Sequence, residues 1–249
     1  MRAILTYHSI DSSNSPISVS IESFTRHVRW LASGRVRVTP VGELLSLPDT
    51  IDAVAITFDD AFRNLADVAV PLLAEYGLPA CAFVVADHAG GTNDWSRAPD
   101  AGIPVLPLLD WIGLARLAEQ GIEIGAHSRS HRPLAMLKGD ELVEEIMGAG
   151  RIIERHTGRA ATGFAYPYGS VSEDAAEVVR TGYSWGCTTE LQMLRGDDDR
   201  ARLPRLDMYY FREPGRLERW GTARFNYYVQ FRSRARRLRQ HWMARHANT

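Results

Sequence analysis

The chain has 249 residues, and its content of 45% hydrophobic and 24% charged residues excludes a protein that is disordered throughout. The net charge of −1 hides an uneven distribution, because residues 212–249 contain ten arginines and two acidic residues and carry +8, leaving −9 elsewhere. No apolar run approaches the roughly 20 residues of a membrane-spanning helix, and the N-terminus lacks the apolar segment of a signal peptide. We therefore expect a cytoplasmic protein. Its only cysteines, Cys81 and Cys187, predict neither a disulfide framework nor a cysteine metal site.

Strand-like apolar runs alternate with helical patterns along the chain. Strands are predicted at 3–7, 53–58, 80–85, 122–126, 162–166, 183–187 and 203–209, and helices at 21–32, 65–76, 108–120, 140–156 and 172–181. This alternation predicts a parallel sheet with helices outside it. About seven such units suit either a closed barrel or an open doubly wound sheet, and composition does not decide between them. Polar residues directly after several strand ends are typical of barrel enzymes.

Two adjacent carboxylates follow the strand predicted at 53–58. The segment 57–60 reads TFDD, and burying Asp59 and Asp60 at the end of an apolar strand is costly unless their charge is compensated. For this pair alone, capping of the following helix is the better explanation.

Two histidines follow the strand predicted at 122–126. The segment 125–131 reads GAHSRSH, so His127 and His131 would converge on one ion if the segment formed a helical turn. Two imidazoles and one carboxylate, with positions left for water, are typical of a catalytic rather than a structural metal site. The conjunction with the aspartate pair therefore predicts a metal centre.

A proline-stiffened aromatic turn, FAYPYG at 164–169, forms a third motif. In it, Pro167 and Tyr168 could hold a backbone N–H toward a developing oxyanion, although an ordinary turn shares this pattern.

In this order, TFDD, HSRSH and FAYPYG resemble the first three motifs of the polysaccharide deacetylases of carbohydrate esterase family 4, the NodB-homology domain. The resemblance covers about residues 1–210. It implies an α/β fold of the distorted (β/α)7 TIM-like barrel type. It also implies a hydrolase that removes N-acetyl groups from an acetylated amino-sugar substrate.

The resemblance further implies roles for individual residues. Asp60, His127 and His131 would bind a divalent metal, commonly Zn²⁺, with Co²⁺, Ni²⁺ and Fe²⁺ as alternatives. Asp59 would be the general base, and the backbone N–H of Tyr168 would help to form the oxyanion hole.

Two departures from the family pattern change these assignments. An arginine early in the third motif usually orients the base, but here that position is Ala165, and Arg205 from a late strand is the expected replacement. The sequence also lacks the late Leu-x-His motif that supplies the general acid. Because Tyr7-His8 resembles the N-terminal segment of the poly-N-acetylglucosamine deacetylase branch, His8 is predicted to be the acid, with a structural histidine as the alternative.

The remaining predictions concern the substrate groove and the tail. Trp185, at a strand end, is a candidate to stack on a sugar ring. Residues 1–212 are expected to form the catalytic domain, and residues 213–249 an Arg-rich helical tail that is either simply solvated or contacts a membrane peripherally. No nucleic-acid partner is expected, because no recognised motif supports one. Two rival functions stay open: a metal-dependent amidase acting on a small non-sugar amide, and a catalytically inactive carbohydrate-binding relative.

Overall fold

The computed structural model describes residues 1–95 and 102–246, with side chains up to residue 238. The strands are β1 (Arg2–Tyr7), β2 (Ser9–Ile10), β3 (Ser18–Val19), β4 (Arg37–Val38), β5 (Ala53–Phe58), β6 (Cys81–Val84), β7 (Glu123–Ala126), β8 (Gly163–Ala165), β9 (Trp185–Cys187) and β10 (Leu206–Asp207). The helices are α1 (Ile21–Leu31), α2 (Val41–Leu44), α3 (Val70–Glu75), α4 (Trp111–Glu119), α5 (Gly139–Thr157), α6 (Glu173–Gly182) and α7 (Ala223–His246).

Every strand and helix predicted from the sequence is present, with shifted ends. The strand predicted at 203–209 is reduced to the two residues of β10, and the helix predicted at 65–76 begins with a π-helical turn, Leu65–Ala69, before α3. The short elements β2, β3, β4 and α2 were not predicted, because runs of two to four residues carry too little periodic signal.

The main sheet is parallel throughout and has the strand order β10-β1-β5-β6-β7-β8-β9, with β4 pairing beside the first half of β5. After β9 the chain returns through Leu203, which bridges to Cys187 in parallel, and three residues later enters β10 beside β1. The two ends of the sheet therefore approach each other. This curled sheet confirms the distorted barrel and excludes the open doubly wound alternative.

Successive residues of each strand contribute alternately to two apolar layers. On β5, Val54, Ile56 and Phe58 belong to the layer between the sheet and the helices, whereas Ala53 and Ala55 belong to a second cluster inside the barrel. The barrel is thus a packed core whose open end, at the carboxyl ends of the strands, carries the polar residues.

The beginning of the Arg-rich region packs on the barrel. Leu217, Phe225 and Val229 are buried in the same layer as the helices that surround the sheet. The boundary between domain and tail at residue 212 stays a prediction. Within the described residues, no helix is long and apolar enough to cross a membrane.

Candidate active site

Strand pairing brings His8 and Asp59 to the same end of the barrel. Tyr7 lies opposite Phe58 in the β1–β5 pair, so His8 and Asp59 are the next residues on neighbouring parallel strands. The Asp59 N–H continues the pairing by donating to the Tyr7 carbonyl over 2.9 Å. Every second side chain of a strand faces the same side, and Asp59 shares the inner side with Thr57. His8 Nε2 consequently lies 3.7 Å from Asp59 Oδ2.

Arg205 holds both carboxylate oxygens of Asp59. Its guanidinium donates to Oδ1 over 2.6 Å and to Oδ2 over 2.7 Å, and both side chains are buried. Two further donors of the guanidinium bond to the carbonyl of Thr188 over 3.0 Å and to the hydroxyl of Thr6 over 3.0 Å. This bidentate geometry fixes the orientation of the Asp59 carboxylate more firmly than a single bond would.

Asp60, His127 and His131 form a second, adjacent group. One ligand atom from each side chain lies within 4.8 Å of the others, and Nε2 of His127 and of His131 are 3.5 and 3.4 Å from Asp60 Oδ1. All three residues are buried. Among the described residues, Asp60 Oδ1 has no hydrogen-bond partner. A buried carboxylate oxygen without a donor, facing two imidazole nitrogens, fits a divalent cation.

The far sides of the two imidazoles are bonded to other groups. His127 Nδ1 lies 2.7 Å from the carbonyl oxygen of Ala165, which can only accept, so Nδ1 carries a proton and Nε2 is the ring nitrogen that faces Asp60. His131 Nδ1 lies 3.1 Å from the hydroxyl of Tyr168. Outer contacts of this kind orient metal-binding histidines and fix their tautomers.

The turns that carry these side chains are strained. Of the six non-glycine residues with positive φ in the described ranges, five lie in this site, with φ between 52° and 67°. They are Asp60, Ala61, Ser128, His131 and Tyr168. Left-handed backbone is unfavourable for side chains with a Cβ and tends to be retained at functional sites. The strain therefore coincides with the residues that the sequence motifs single out.

The segment between the two histidines is not the helical turn expected from the sequence. It is an irregular bend, in which the His131 N–H donates to the Ser128 hydroxyl over 3.0 Å. The Glu145 carboxylate, from α5, accepts the backbone N–H groups of Arg129 and Ser130 over 3.1 and 3.0 Å. These bonds turn the backbone, so the Nε2 atoms of the two histidines converge although the segment between them is not helical.

Charge and burial set the protonation of the site. Burial works to raise the pKa of Asp59, but Arg205 outweighs it and holds the pKa well below its usual range. Burial raises the pKa of Asp60. Burial, and then the neighbouring His127, lower the pKa of His131 well below its usual value, so His131 is neutral at pH 7 and can act as a ligand.

The model of the polysaccharide deacetylase family matches residues 47–184, which is more than half of the chain. The chain belongs to the polysaccharide deacetylase family. The matched range contains Asp59, Asp60 and both histidines, whereas His8 and Arg205 lie outside it. The resemblance read from the three motifs is thereby confirmed.

Named relatives agree with this assignment. The protein YxkH of Bacillus subtilis is 28% identical over 193 residues, which cover 75% of this chain and 64% of YxkH. The poly-β-1,6-N-acetyl-D-glucosamine N-deacetylase of Staphylococcus epidermidis is 24% identical over 204 residues, covering 76% of this chain and 67% of that enzyme. The chain thus spans about two thirds of the length of these relatives.

Solved structures share the fold of this deacetylase-family chain. IcaB from Ammonifex degensii superposes with a TM-score of 0.70 at 24% identity, covering 83% of this chain and 91% of IcaB. The Streptococcus pyogenes deacetylase PplD, solved in complex with acetate, superposes with a TM-score of 0.69 at 19% identity, covering 82% and 91% of the two chains.

The prediction that Trp185 stacks on a sugar is wrong. Trp185 is only 2% exposed, and its indole packs inside the barrel against the ring of Phe83, at 5.7 Å between centroids. A Cβ on Gly163 would come within 2.2 Å of the indole, so the glycine makes room for it. The position of Trp185 near a strand end did not indicate this burial. Its side chain faces the barrel interior, one layer of side chains below the polar residues at the open end.

Two residues near the family motifs were not among the predicted site residues. Nothing in the sequence marked Glu145 as a site residue, because it lies in a helix with many charged residues. Trp95 packs against His131 in a tilted arrangement, with ring centroids 4.1 Å apart, and is partly exposed at the mouth of the site. An isolated tryptophan in a loop rich in glycine, asparagine and proline was its only signal.

Tyr168 and Pro167 lie in a short 3₁₀ turn directly after β8. Tyr168 is 48% exposed beside His131, and Pro167 is buried. At the position of the usual family arginine, the buried Ala165 offers its carbonyl to His127, and the guanidinium that reaches Asp59 comes from Arg205, in the chain just before β10. The roles of Tyr168, Pro167, His8 and Arg205 stay predictions.

Proposed function

We propose that this protein is a metal-dependent hydrolase that removes N-acetyl groups from an amino-sugar-containing glycan or glycan precursor. The observation that carries the proposal is the group Asp60, His127 and His131, with an orphaned carboxylate oxygen, beside the Asp59–Arg205 pair at the open end of a deacetylase barrel. The activity named for the staphylococcal relative supports the reaction, and the complex of PplD with acetate supports its product.

Asp60, His127 and His131 would hold a divalent cation, with Zn²⁺ as the first candidate and Co²⁺, Ni²⁺ or Fe²⁺ as alternatives. Two imidazoles and one carboxylate leave positions open, which suits a catalytic site. A cation bound there supplies a Lewis acid for the acetamido carbonyl and lowers the pKa of water. The three residues are fixed before binding, since the His127 and His131 rings already have outer partners.

Asp59 accepts the proton of the attacking water. It is ionised at neutral pH because Arg205 holds its pKa below the usual range. Arg205 also keeps both carboxylate oxygens in one orientation, so that proton transfer needs no rotation of the base.

His8 and Tyr168 complete the reaction. As the carbon–nitrogen bond breaks, His8 donates a proton to the departing amine, and the backbone N–H of Tyr168 stabilises the oxyanion that forms at the carbonyl. One amide and one water thus give one amine and one acetate. His8 is 24% exposed and lies beside Asp59, so it can reach both substrate and solvent.

Acetate release tests the proposal. Metal-stripped protein is incubated with N-acetylglucosamine oligomers and with simple aryl acetates, before and after Zn²⁺ or Co²⁺ is added. We expect little release without metal and restored release with it. If the metal binds but neither substrate class releases acetate, the protein is either an amidase for a small non-sugar amide or an inactive carbohydrate-binding relative.

A further inference from the structure

The C-terminal helix α7 has one face that packs on the barrel. Phe225, Val229 and Ser233 follow one another at four-residue spacing and are all buried. Their positions define an inner face that covers part of the apolar layer around the sheet.

Polar and ring contacts fasten this inner side to the residues after β10. Arg236 pairs with Asp207 at 3.6 Å, and the Tyr228 hydroxyl donates to the carbonyl of Tyr210. The guanidinium of Arg232 lies 5.0 Å from the ring centroid of Tyr210. The orientation of α7 on the barrel is therefore fixed over its first four turns, and its opposite face points to solvent.

The outer face carries large apolar side chains in water. Tyr227 is 72% exposed, Phe231 54% and Leu238 73%. Their spacings of four and seven residues place them on one face of a helix with 3.6 residues per turn. Arg224 and Arg234 are exposed on this same face. A row of apolar side chains flanked by cations is unusual for a surface that meets only water.

The helix carries one sign of charge. Residues 223–246 contain seven arginines and no acidic residue. Beside its first turns a groove of about 440 Å³ is lined by both kinds of side chain, among them Arg216, Arg219, Tyr227 and Phe231. The partner of this face must therefore accept apolar side chains and supply negative charge.

We propose that the outer face of α7 docks on the surface of an anionic lipid bilayer. Aromatic and aliphatic side chains enter the boundary between headgroups and acyl chains, while arginines beside them pair with lipid phosphates. A nucleic-acid backbone would match the arginines but would leave Tyr227, Phe231 and Leu238 without a role.

Docking in this way also orients the barrel. Arg236 contacts Asp207, which is the last residue of β10 and lies opposite Thr6, two residues before His8. The helix is thus fastened to the same end of the barrel as the candidate active site. This surface is identified without any assumption about catalysis, so bilayer docking can be tested independently of the deacetylase activity.

Vesicle co-sedimentation tests the proposal with the full chain. We expect the protein to pellet with vesicles of phosphatidylcholine and phosphatidylglycerol, and much less with phosphatidylcholine alone. Arg224→Gln with Arg234→Gln should weaken binding roughly fivefold per arginine, and Phe231→Ser with Leu238→Ser roughly tenfold or more. The matched controls are Arg35→Gln with Arg159→Gln, and Ile112→Ser with Val143→Ser, which change exposed residues elsewhere and should bind like the wild type.

An environment-sensitive dye provides a second measurement on folded protein. Phe231→Cys can be labelled selectively, because Cys81 and Cys187 are buried. Its emission should shift to the blue on anionic vesicles, whereas a label at Ile112→Cys should not respond. Equal pelleting on neutral and anionic vesicles, or unchanged binding in both α7 variants, would overturn the proposal. Failure to bind any vesicle would also overturn it. This holds whether the arginines bind a DNA duplex instead or the apolar face mediates self-association instead.

Discussion

At the level of single residues, the Asp59–Arg205 pair determines what the site can do. A buried carboxylate without a cation would take up a proton and could not act as a base at neutral pH. Arg205 reverses this tendency through two hydrogen bonds and its charge, although it is 146 residues away in the sequence. The same contact contributes to the stability of the fold, because burial of either charge without the other is costly.

Asp59→Asn tests the base. The amide has nearly the same shape but cannot accept the water proton, so we expect acetate release to fall roughly 10²–10⁴-fold. Zn²⁺ affinity, measured by titration calorimetry, should stay close to the wild-type value because the three ligands are unchanged. Asp60→Asn is the matched comparison, since it should lose metal affinity as well as activity. Retention of most activity by Asp59→Asn would reject the base assignment.

Removal of Arg205 tests the pair. In Arg205→Ala, Asp59 is left buried without its cation, so the free energy of unfolding should fall by about 3–5 kcal/mol. Arg205→Lys keeps the charge but loses the bidentate geometry and should lie between the alanine variant and the wild type. Both are measured by urea unfolding of metal-stripped protein.

A double-mutant cycle separates the energetic coupling between Asp59 and Arg205 from the loss of packing. Asp59→Ala combined with Arg205→Ala removes both charges, and it should be less destabilised than the sum of the single variants. Additive losses would show that Arg205 stabilises the barrel without energetic coupling to Asp59.

At the level of elements, helix α5 shapes the turn between His127 and His131. The Glu145 carboxylate accepts two successive backbone N–H groups between His127 and His131, and the Ser130 hydroxyl also donates to it. These bonds fix a turn whose backbone is strained at Ser128 and His131. Without them, the turn would have more conformations, and few would direct both imidazoles to one point.

Glu145→Gln should therefore weaken Zn²⁺ binding by about 10- to 100-fold while the protein remains folded, as is found for outer contacts of metal ligands. Both backbone N–H groups donate to the same oxygen, Oε2, and a neutral amide oxygen accepts hydrogen bonds more weakly than a carboxylate oxygen, so the turn is held less firmly. Glu144→Gln is the matched control, because the neighbouring carboxylate pairs with Arg129 and Arg151 at the surface. Such exposed pairs contribute little, so its affinity should change by no more than about twofold. Equal effects in both variants would remove the positioning role of Glu145.

The elements also show how far sequence reasoning reaches. Long apolar strands, and the polar residues that follow them, were predicted because burial on both faces leaves a continuous apolar run. The contact between Glu145 and the turn could not be predicted, since a charged residue on an amphipathic helix is usually solvated. The prediction for Trp185 was wrong for a related reason. A position near a strand end indicates how exposed a residue is only when it is also known whether the side chain faces into or out of the barrel.

At the level of the whole molecule, His27 joins three parts of the fold. Its ring is buried, with Nε2–H donating to the carbonyl of Phe211 over 2.9 Å and Nδ1 accepting from the Tyr7 hydroxyl over 3.1 Å. It thus links α1 to β1 and to the turn after β10, on which α7 packs. The bond that Nδ1 accepts from Tyr7 requires a neutral ring, and burial is the main cause that lowers the pKa of His27 from 6.5 to about 4.

This shift predicts how stability depends on pH. The unfolded chain protonates His27 below about pH 6.5, whereas the folded protein does so only near pH 4, so unfolding takes up a proton between these values. The resulting loss of stability is absent above this window and grows as the pH falls through it, to about 3 kcal/mol at its lower end. Urea unfolding of metal-stripped protein at several pH values measures it. His27→Gln should lose stability less steeply with acid than the wild type does, since the other titrating groups are common to both proteins. Parallel pH profiles of the two proteins would mean that His27 is charged in the folded state and that the junction tolerates the proton.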